Sequence, residues 1–294
     1  MTFVGALLGG SVTCGAAGHS VIATGAALVK VADGFWSTEG ATADASGNVF
    51  FTEQGKDCIH EWSVDGKLST FLHPCGESLG LCFDSQGNLW ACAEERGELW
   101  CIDPAGKATV VVKGFQGRRL DGPNDIWVRP DGGLYFTDPN FINVTNRVGG
   151  AVQDLEAVYY LSPDRQKLVR VITDLINPNG LIGTPDGKIL YVASYGGSGT
   201  YSYDIQPDGT LTDKRLFCSR ASDGMTIDDD GNVYLTGYGV YVYDKTGKQI
   251  EHINVPGPGT TNVCFGGKDL QTLFITGFNR LYAIHLQVKG VGSQ

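Results

Sequence analysis

Short apolar runs separated by polar turns cover most of the chain. The stretch "NPNGLIGTPDGKILYVAS", residues 177–194, shows the pattern: an apolar run, a turn around Asp186 and Gly187, and a second apolar run that ends at Ser194. Pro, Asp and Gly are the residues that tight turns favour, and short runs bounded by such turns favour strands over helices. The hydrophobic pattern therefore predicts an all-β fold.

One phrase, a turn followed by a strand with aromatic residues, recurs along the chain. Its copies are "DASGNVFFTE" (44–53), "DSQGNLWACA" (84–93), "RPDGGLYFTD" (129–138), "TPDGKILYVAS" (184–194) and "DDDGNVYLTG" (228–237), with a degraded copy in "GGKDLQTLFITG" (266–277). The turn glycines are spaced by 40, 45, 55 and 44 residues, at Gly47, Gly87, Gly132, Gly187 and Gly231. Several strands per unit of this length are typical of propeller blades, so the six copies predict a six-bladed β-propeller.

The repeats predict one propeller domain over residues 29–294, because no blade boundary resembles a linker. Residues 1–28 are apolar, rich in Gly and Ala, and free of Lys, Arg, Asp and Glu. We interpret them as an N-terminal extension that is disordered or weakly signal-like, since the apolar run is too interrupted to cross a membrane. The long third interval contains residues 140–160, which predict either a lid over one face or a longer loop between blades.

Composition narrows the possible partners. The formal charge is −10, and the basic residues form no cluster longer than a pair, so nucleic acid is not expected as a partner because phosphate binding needs a basic surface. We expect a small-molecule ligand and no membrane association, and the oligomeric state stays open. Most of the eight cysteines are interpreted as reduced core residues. A cytoplasmic location is expected, with secretion or a periplasmic location as the alternatives.

The repeat phase singles out one position in each unit. Eight residues before the turn glycines lie Glu39, Leu79, Asn124, Asn179 and Asp223, and Asn262 lies near the corresponding place in the sixth unit. In superposed blades this position begins the innermost strand, which lines the central channel of a propeller. Oxygen-bearing side chains from separate blades are therefore predicted to converge on the axis.

Converging oxygens are what a hard divalent cation requires. Calcium takes six to eight oxygen ligands, and magnesium and manganese also prefer oxygen. Asn or Asp before Gly is also a common turn sequence, but the recurrence at one phase, with a Glu among the residues, favours a metal site. No His lies at this phase and no GxSxG elbow is present, which argues against a Ser-His-Asp triad.

Four phrases in the chain resemble the gluconolactonase, regucalcin (senescence marker protein, SMP-30) and luciferin-regenerating enzyme family. They are "STEGATADASGNVFFTE", "RLDGPNDIWVRPDGGLYFTDP", "NPNGLIGTPDGKILYVAS" and "SDGMTIDDDGNVYLTG", and the likeness spans roughly residues 30–285. The resemblance implies a six-bladed propeller with one catalytic divalent metal in the channel. Calcium is the expected cofactor, with magnesium, manganese or zinc as alternatives.

The resemblance also implies residue roles. Glu39, Asn179 and Asp223 match the metal ligands, Asp223 also matches the general base, and Asn124 matches the residue that faces metal and substrate. Regucalcin-like members carry an Arg two residues before the Asn124 position, where this chain has Gly122. Arg118 or Arg119 would have to substitute for that Arg in binding the substrate.

Two further carboxylates are candidates for a supporting role. Asp125 and Asp138 could each hold a water or another cation near the substrate, and each also suits an ordinary turn, which is the interpretation favoured for Asp125. The expected function is metal-dependent hydrolysis of sugar lactones. A phosphotriesterase of the diisopropyl-fluorophosphatase kind and a non-catalytic calcium-binding propeller are the alternatives.

Overall fold

The computed structural model describes residues 20–141 and 153–292 and shows an all-β, six-bladed propeller. The predicted fold class is therefore confirmed. Blade one contains β2 (Thr38–Ala43), β3 (Val49–Glu53), β4 (Cys58–Trp62) and β5 (Leu68–Leu72); blade two β6 (Ser78–Phe83), β7 (Leu89–Ala93), β8 (Glu98–Ile102) and β9 (Ala108–Val112); blade three β10 (Ile126–Val128), β11 (Leu134–Asp138), β12 (Ala157–Leu161) and β13 (Leu168–Ile172). Blade four contains β14 (Pro178–Gly183), β15 (Ile189–Ser194), β16 (Gly199–Ile205) and β17 (Leu211–Cys218); blade five β18 (Met225–Ile227), β19 (Val233–Gly237), β20 (Gly239–Tyr243) and β21 (Gln249–Ile253); blade six β22 (Val263–Gly266), β23 (Thr272–Gly277), β24 (Arg280–His285) and the N-terminal β1 (Val29–Asp33).

Each blade is a four-stranded antiparallel sheet whose first strand in chain order lies innermost. The innermost strands contact their neighbours in a closed ring, from β2 through β6, β10, β14, β18 and β22 back to β2. In blade six the outermost strand is β1, which pairs with β24 and joins the two ends of the propeller. Repeating the blades around the channel leaves only short, protected sheet edges.

The hydrophobic core is divided into six clusters, one between each pair of neighbouring blades. Between blades two and three, for example, Trp90 and Leu99 pack with Leu134, Phe136 and Tyr159. The second strand of each blade lies between two such clusters, and β3, β7, β11 and β12 are buried along their whole length. This explains why the recurring apolar phrase reads as a continuous hydrophobic run.

The five predicted turn glycines all adopt left-handed backbone angles, with φ between 68° and 86°. A Cβ atom would strain this conformation, which is why glycine recurs there. In blade six Leu270 adopts a φ of 56° in the corresponding turn, which is closed by the hydrogen bond from its amide to Gly267 O. The loss of the turn glycine explains why the sixth copy is degraded in sequence.

The described part of the predicted extension, residues 20–28, packs on blade six: Val21 is buried, and its carbonyl oxygen accepts a hydrogen bond from the amide of Gln287. Residues 1–19, and residues 142–152 of the predicted lid, lie outside the described residues. All seven cysteines within 20–141 and 153–292 are free. Across the same ranges, no helix has the length and apolarity needed to cross a membrane.

Two sets of connections lie on the same face of the propeller. Because neighbouring strands are antiparallel, the loops that enter the innermost strands and the loops between the second and third strands share one face. The predicted channel residues begin the innermost strands and therefore lie at this face. We call it the site face.

Candidate active site

Backbone irregularities mark the place where the predicted channel residues lie. Leu79 in β6 and Asn179 in β14 each lie in a one-residue β-bulge, and Glu39 in β2 directly precedes one. Just before β10, the amide of Asn124 donates to Thr137 O, and the amide of Thr137 donates to Asp125 O. Two residues therefore oppose one here, as in a bulge. A bulge disrupts the ladder and re-aims a side chain, which suits a position where a strand turns toward the channel.

The residue after the channel position is glycine in four blades, and the packing of the blades explains why. A Cβ on Gly40 would lie 1.8 Å from Leu79 O, one on Gly80 2.6 Å from Asn124 O, and one on Gly180 2.4 Å from Asp223 O. The innermost strands therefore approach so closely that only hydrogen fits between them. This close approach brings the channel side chains of neighbouring blades together.

Thr261, rather than Asn262, takes the channel position in blade six. The amide of Gly80 donates to Asn124 O, and in the same way the amide of Gly224 donates to Thr261 O. Asn262 comes one residue later and corresponds to Asp125, since each side chain accepts a hydrogen bond from the amide that follows it. The irregular turn of the sixth repeat causes the difference.

The side chains of Asn179 and Asp223 are in direct contact. Nδ2 of Asn179 donates a hydrogen bond of 2.9 Å to Oδ1 of Asp223. Oδ1 of Asn179 is buried and has no hydrogen-bond partner within the described chain. A buried amide oxygen without a partner costs free energy on the order of 1–3 kcal/mol, unless another group supplies a positive charge or a donor. The arrangement therefore leaves room for a cation beside Asn179.

Carboxylates crowd around this pair. Burial raises the pKa of Glu39 well above its usual range, and the negative charges of Asp223 and Asp125 raise it further. Burial also raises the pKa of Asp223 to about 6, although the hydrogen bond from Asn179 opposes the shift. The charge of Glu94 acts on the pKa of both groups in the same direction. A divalent cation would relieve this repulsion.

The donor set fits a hard cation. Among residues 20–141 and 153–292, no three His, Cys, Asp or Glu side chains form a metal-binding group by themselves. An ion held here would therefore need the amide oxygen of Asn179 in addition to the carboxylates of Glu39 and Asp223. Carboxylate and amide oxygens are the ligands that calcium and magnesium prefer.

Asp125 and Asp138 are both buried, and both hold backbone amides. The carboxylate of Asp125 accepts hydrogen bonds from the amides of Ile126 and Leu181, which ties blade three to blade four. The prediction that Asp125 is a turn residue is therefore wrong. Asp138 is fully buried at the end of β11 and accepts the amides of Asp121 and Gly122. It holds the loop that leads to Asn124.

The two predicted substrate arginines lie in the loop before β10. Arg118 is exposed, and its backbone pairs with that of Phe115. The guanidinium of Arg119 donates to the carbonyl oxygens of Glu95 and Arg96. Arg119 therefore joins two loops of the site face, and these hydrogen bonds direct its guanidinium to main chain rather than to the channel residues.

The model of the SMP-30/gluconolactonase/LRE-like region matches residues 37–279 of the chain. The chain belongs to this family. A gluconolactonase from Zymomonas mobilis is 28% identical over 287 residues, covering 87% of this chain and 80% of the relative. Lactonase drp35 from Staphylococcus haemolyticus is 27% identical over 274 residues, covering 86% of this chain and 79% of the relative.

A solved structure also resembles this member of the SMP-30/gluconolactonase family. It is a gluconolactonase from Xanthomonas campestris, with a TM-score of 0.84, 30% sequence identity, and coverage of 90% of this chain and 91% of the other. The family resemblance seen in the sequence is therefore confirmed, and the propeller architecture agrees with it.

Residues missed by the sequence reasoning surround the channel of this SMP-30/gluconolactonase family member. Glu94 is buried in the loop after β7, and its carboxylate accepts a hydrogen bond of 2.6 Å from Nε2 of Gln54. Beside Asp223, a cavity of about 340 Å³ is bordered by Tyr195, Arg220 and Tyr238. None of these four residues is at the repeat phase of the channel position. The only signal for Arg220 was its place three residues before Asp223.

Proposed function

We propose that this protein is a divalent-metal-dependent lactonase that opens sugar lactones such as glucono-1,5-lactone. Relatives named gluconolactonase and lactonase support the reaction class, at identities of 27–30% over most of the chain. The observation that carries the metal dependence is the buried Oδ1 of Asn179, which has no hydrogen-bond partner in the described chain and lies beside the carboxylate of Asp223. A buried amide oxygen that has no donor costs free energy, and a bound cation would supply the missing partner.

Glu39, Asn179 and Asp223 would hold the cation, with Asn124 facing it from blade three. Two carboxylates and amide oxygens favour calcium, and magnesium, manganese or zinc are the alternatives. Once bound, a divalent cation supplies Lewis-acid polarisation of the lactone carbonyl and stabilises the negative charge that develops on its oxygen.

Asp223 is the proposed general base. Its Oδ1 is oriented by the hydrogen bond from Asn179, which leaves Oδ2 to accept the proton of the attacking water. The hydroxide formed in this step adds to the lactone carbonyl carbon. The bond between that carbon and the ring oxygen then breaks, and the ring oxygen takes up the proton to give an open hydroxy acid.

Asn124 and Asp138 have positioning roles in this proposal. Asn124 would hydrogen-bond the lactone and fix the orientation of its ring above the channel. Asp138 holds the amides of Asp121 and Gly122, two and three residues before Asn124 in the chain. It therefore acts on the substrate through the loop and does not contact it, since its side chain is fully buried.

The test is hydrolysis of aldonolactones by chelator-stripped protein, restored with calcium, magnesium, manganese and zinc in turn. We expect no turnover after stripping and recovery with at least one cation. Turnover that survives a strong chelator would contradict the metal dependence. Hydrolysis of an organophosphate but of no lactone would indicate the phosphotriesterase alternative, and tight cation binding without turnover of any ester would indicate a binding protein.

A further inference from the structure

The cavity beside Asp223 is built from two blades on the site face. It lies between the loop after β15, which carries Tyr195, and the loop before β18, which carries Arg220 and Asp223. Tyr238, between β19 and β20, forms another part of its wall. Its volume of about 340 Å³ is in the range of small-ligand pockets. A substrate whose carbonyl reacts at Asp223 would therefore extend into this cavity.

Arg220 is held at the cavity in a fixed orientation. Its Nε donates a hydrogen bond of 3.2 Å to the hydroxyl of Tyr243, and its Cζ lies 3.5 Å from the centre of the Tyr241 ring. Tyr241 in turn stacks on His252, with ring centres 4.1 Å apart and planes 9° apart. A guanidinium that is fixed on an aromatic face, with its Nε donating a hydrogen bond, presents its two terminal nitrogens as a planar fork.

That fork has no protein partner within the described chain. Four other arginines there form ion pairs, Arg96 with Glu95, Arg129 with Asp131, Arg170 with Asp154 and Arg215 with Asp204, whereas Arg118, Arg119, Arg165 and Arg280 form none within the described ranges. For Arg220, the Nη groups have neither a hydrogen bond nor an ion pair within 20–141 and 153–292, although the chain carries a net charge of −10. Nη1 lies 3.9 Å from where a Cβ of Gly237 would be, at the cavity wall. A pre-oriented and unpaired guanidinium beside a cavity is suited to bidentate binding of a carboxylate.

Two tyrosine side chains complete the cavity. Tyr195 is 53% exposed and Tyr238 is 78% exposed, so both rings are accessible to a ligand in the cavity. Their faces would pack against the C–H groups of a sugar-like ring, and their hydroxyls would meet its oxygens. The cavity therefore combines aromatic faces that suit a sugar-like ring with a guanidinium that suits an acidic substituent.

We propose that Arg220 binds a carboxylate on the substrate, so that the preferred substrates are lactones of sugar acids that carry a second, free carboxylate. This inference rests on the proposed lactonase function and specifies its substrate class. The carboxylate would lie away from the reacting carbonyl and would bind both Nη groups of Arg220. Neutral aldonolactones would occupy the same cavity but would leave the guanidinium without a charged partner.

The test compares D-galactono-1,4-lactone with D-galactaro-1,4-lactone, which differ only in whether C6 is a hydroxymethyl group or a carboxylate. We expect the wild type to have the higher kcat/KM for the carboxylate-bearing lactone. In Arg220→Gln that value should fall on the order of 10- to 100-fold, the usual effect of removing a charge-assisted hydrogen bond. The value for the neutral lactone should change by less than about threefold, and Arg220→Lys should fall between wild type and Arg220→Gln.

Arg215→Gln is the matched control, because Arg215 pairs with Asp204 on an outer strand and loses the same charge. Retained turnover of the neutral lactone shows that each variant is folded. A wild type that prefers the neutral lactone, or an Arg220→Gln variant that loses both lactones equally, would overturn the proposal.

A binding measurement keeps the substrate proposal separate from the lactonase proposal. Galactarate and galactonate, the two ring-opened acids, are titrated calorimetrically into wild type and Arg220→Gln, which requires no turnover. Tighter binding of galactarate to wild type, lost in Arg220→Gln, would support the carboxylate subsite even if no lactone were hydrolysed. Equal binding of the two acids by wild type would overturn the subsite even if both lactones were hydrolysed.

Discussion

Asn179 donates its side-chain amide to Asp223 at 2.9 Å across the boundary between blades four and five, 44 residues along the chain. The hydrogen bond fixes both side chains and directs the buried Oδ1 of Asn179 to a place where no donor of the described chain meets it. Since Glu39 adds a further, partly buried carboxylate, the pair belongs to a set of oxygens whose negative charge a bound cation would balance.

Asp223→Asn should lower kcat on the order of 100-fold or more, the usual contribution of a positioned general base together with a lost ligand charge. The new amide can still accept the hydrogen bond from Asn179, so the fold should be retained. Without metal, the variant should unfold at or above the wild-type temperature, because one repelling charge is removed. Asp230→Asn, an exposed turn position on the opposite face, is the control. Near-normal turnover by Asp223→Asn at saturating calcium would exclude Asp223 as the base.

Gly180→Ala should destabilise the propeller by on the order of 1–3 kcal/mol, the usual cost of forcing an extra methyl group into a packed interior. The new Cβ would lie 2.4 Å from the carbonyl oxygen of Asp223, and backbone cannot move aside as a side-chain end can. Gly199→Ala is the control, because its nearest neighbour is the end of the Leu216 side chain at 3.3 Å. Urea unfolding of both variants measures the difference. Equal stabilities would mean that the blades are packed less closely than described.

Asp138 should make stability depend on pH. Burial raises its pKa from 3.8 to about 7, although the amides of Gly122 and Asp121 oppose the shift. The folded protein therefore holds this proton more tightly than the unfolded chain does. Its contribution to stability is fully present below the unfolded pKa and is lost as pH rises through the folded pKa of about 7.

The free energy of unfolding should accordingly fall between about pH 4 and about pH 7, by at most about 1.4 kcal/mol per pH unit, and level off above that range. Asp138→Asn should show a smaller fall over the same range, because its amide does not titrate. Urea unfolding at a series of pH values measures both proteins. An identical fall in the two would assign the pH dependence to other groups.

Glu94→Gln should weaken calcium binding on the order of five- to tenfold, about 1 kcal/mol, because its charge acts on Glu39 and Asp223 without being one of the proposed ligands. The substituted amide can still accept the hydrogen bond from Gln54, so local packing should be kept. The neighbouring Glu95 is exposed, and Glu95→Gln is the matched control. Titration with a calcium indicator measures the three affinities. Unchanged affinity in Glu94→Gln would place its carboxylate outside the electrostatic environment of the site.

Much of the fold was predictable because it depends on local turn chemistry. The turn glycines need left-handed backbone angles that few other residues adopt, so their spacing revealed five of the six blades and the register of the innermost strands. Glu39, Asn179 and Asp223 could be placed in one region from that register alone. The glycine after each of them is also a local signal, since the approach of the next blade requires it.

What escaped prediction depends on contacts distant in sequence. The pairing of β1 with β24 leaves no repeat phrase in residues 29–33. Leu270 replaces the sixth turn glycine, so Asn262 was expected near the position that Thr261 takes. Glu94 and Arg220 come from loops, whose side chains reach the site through packing between blades rather than through the strand period. Residues of this kind follow no periodic pattern in the sequence.

The most direct test of the metal site is a calorimetric titration of calcium into chelator-stripped wild type and Asn179→Leu. Leucine keeps the size of asparagine but removes the buried oxygen. We expect one ion per wild-type chain and binding weakened on the order of 100-fold or more in the variant, the loss of a ligand being worth a few kcal/mol. Wild-type affinity in Asn179→Leu, or no binding of any divalent cation by wild type, would contradict the proposal that Glu39, Asn179 and Asp223 hold one ion.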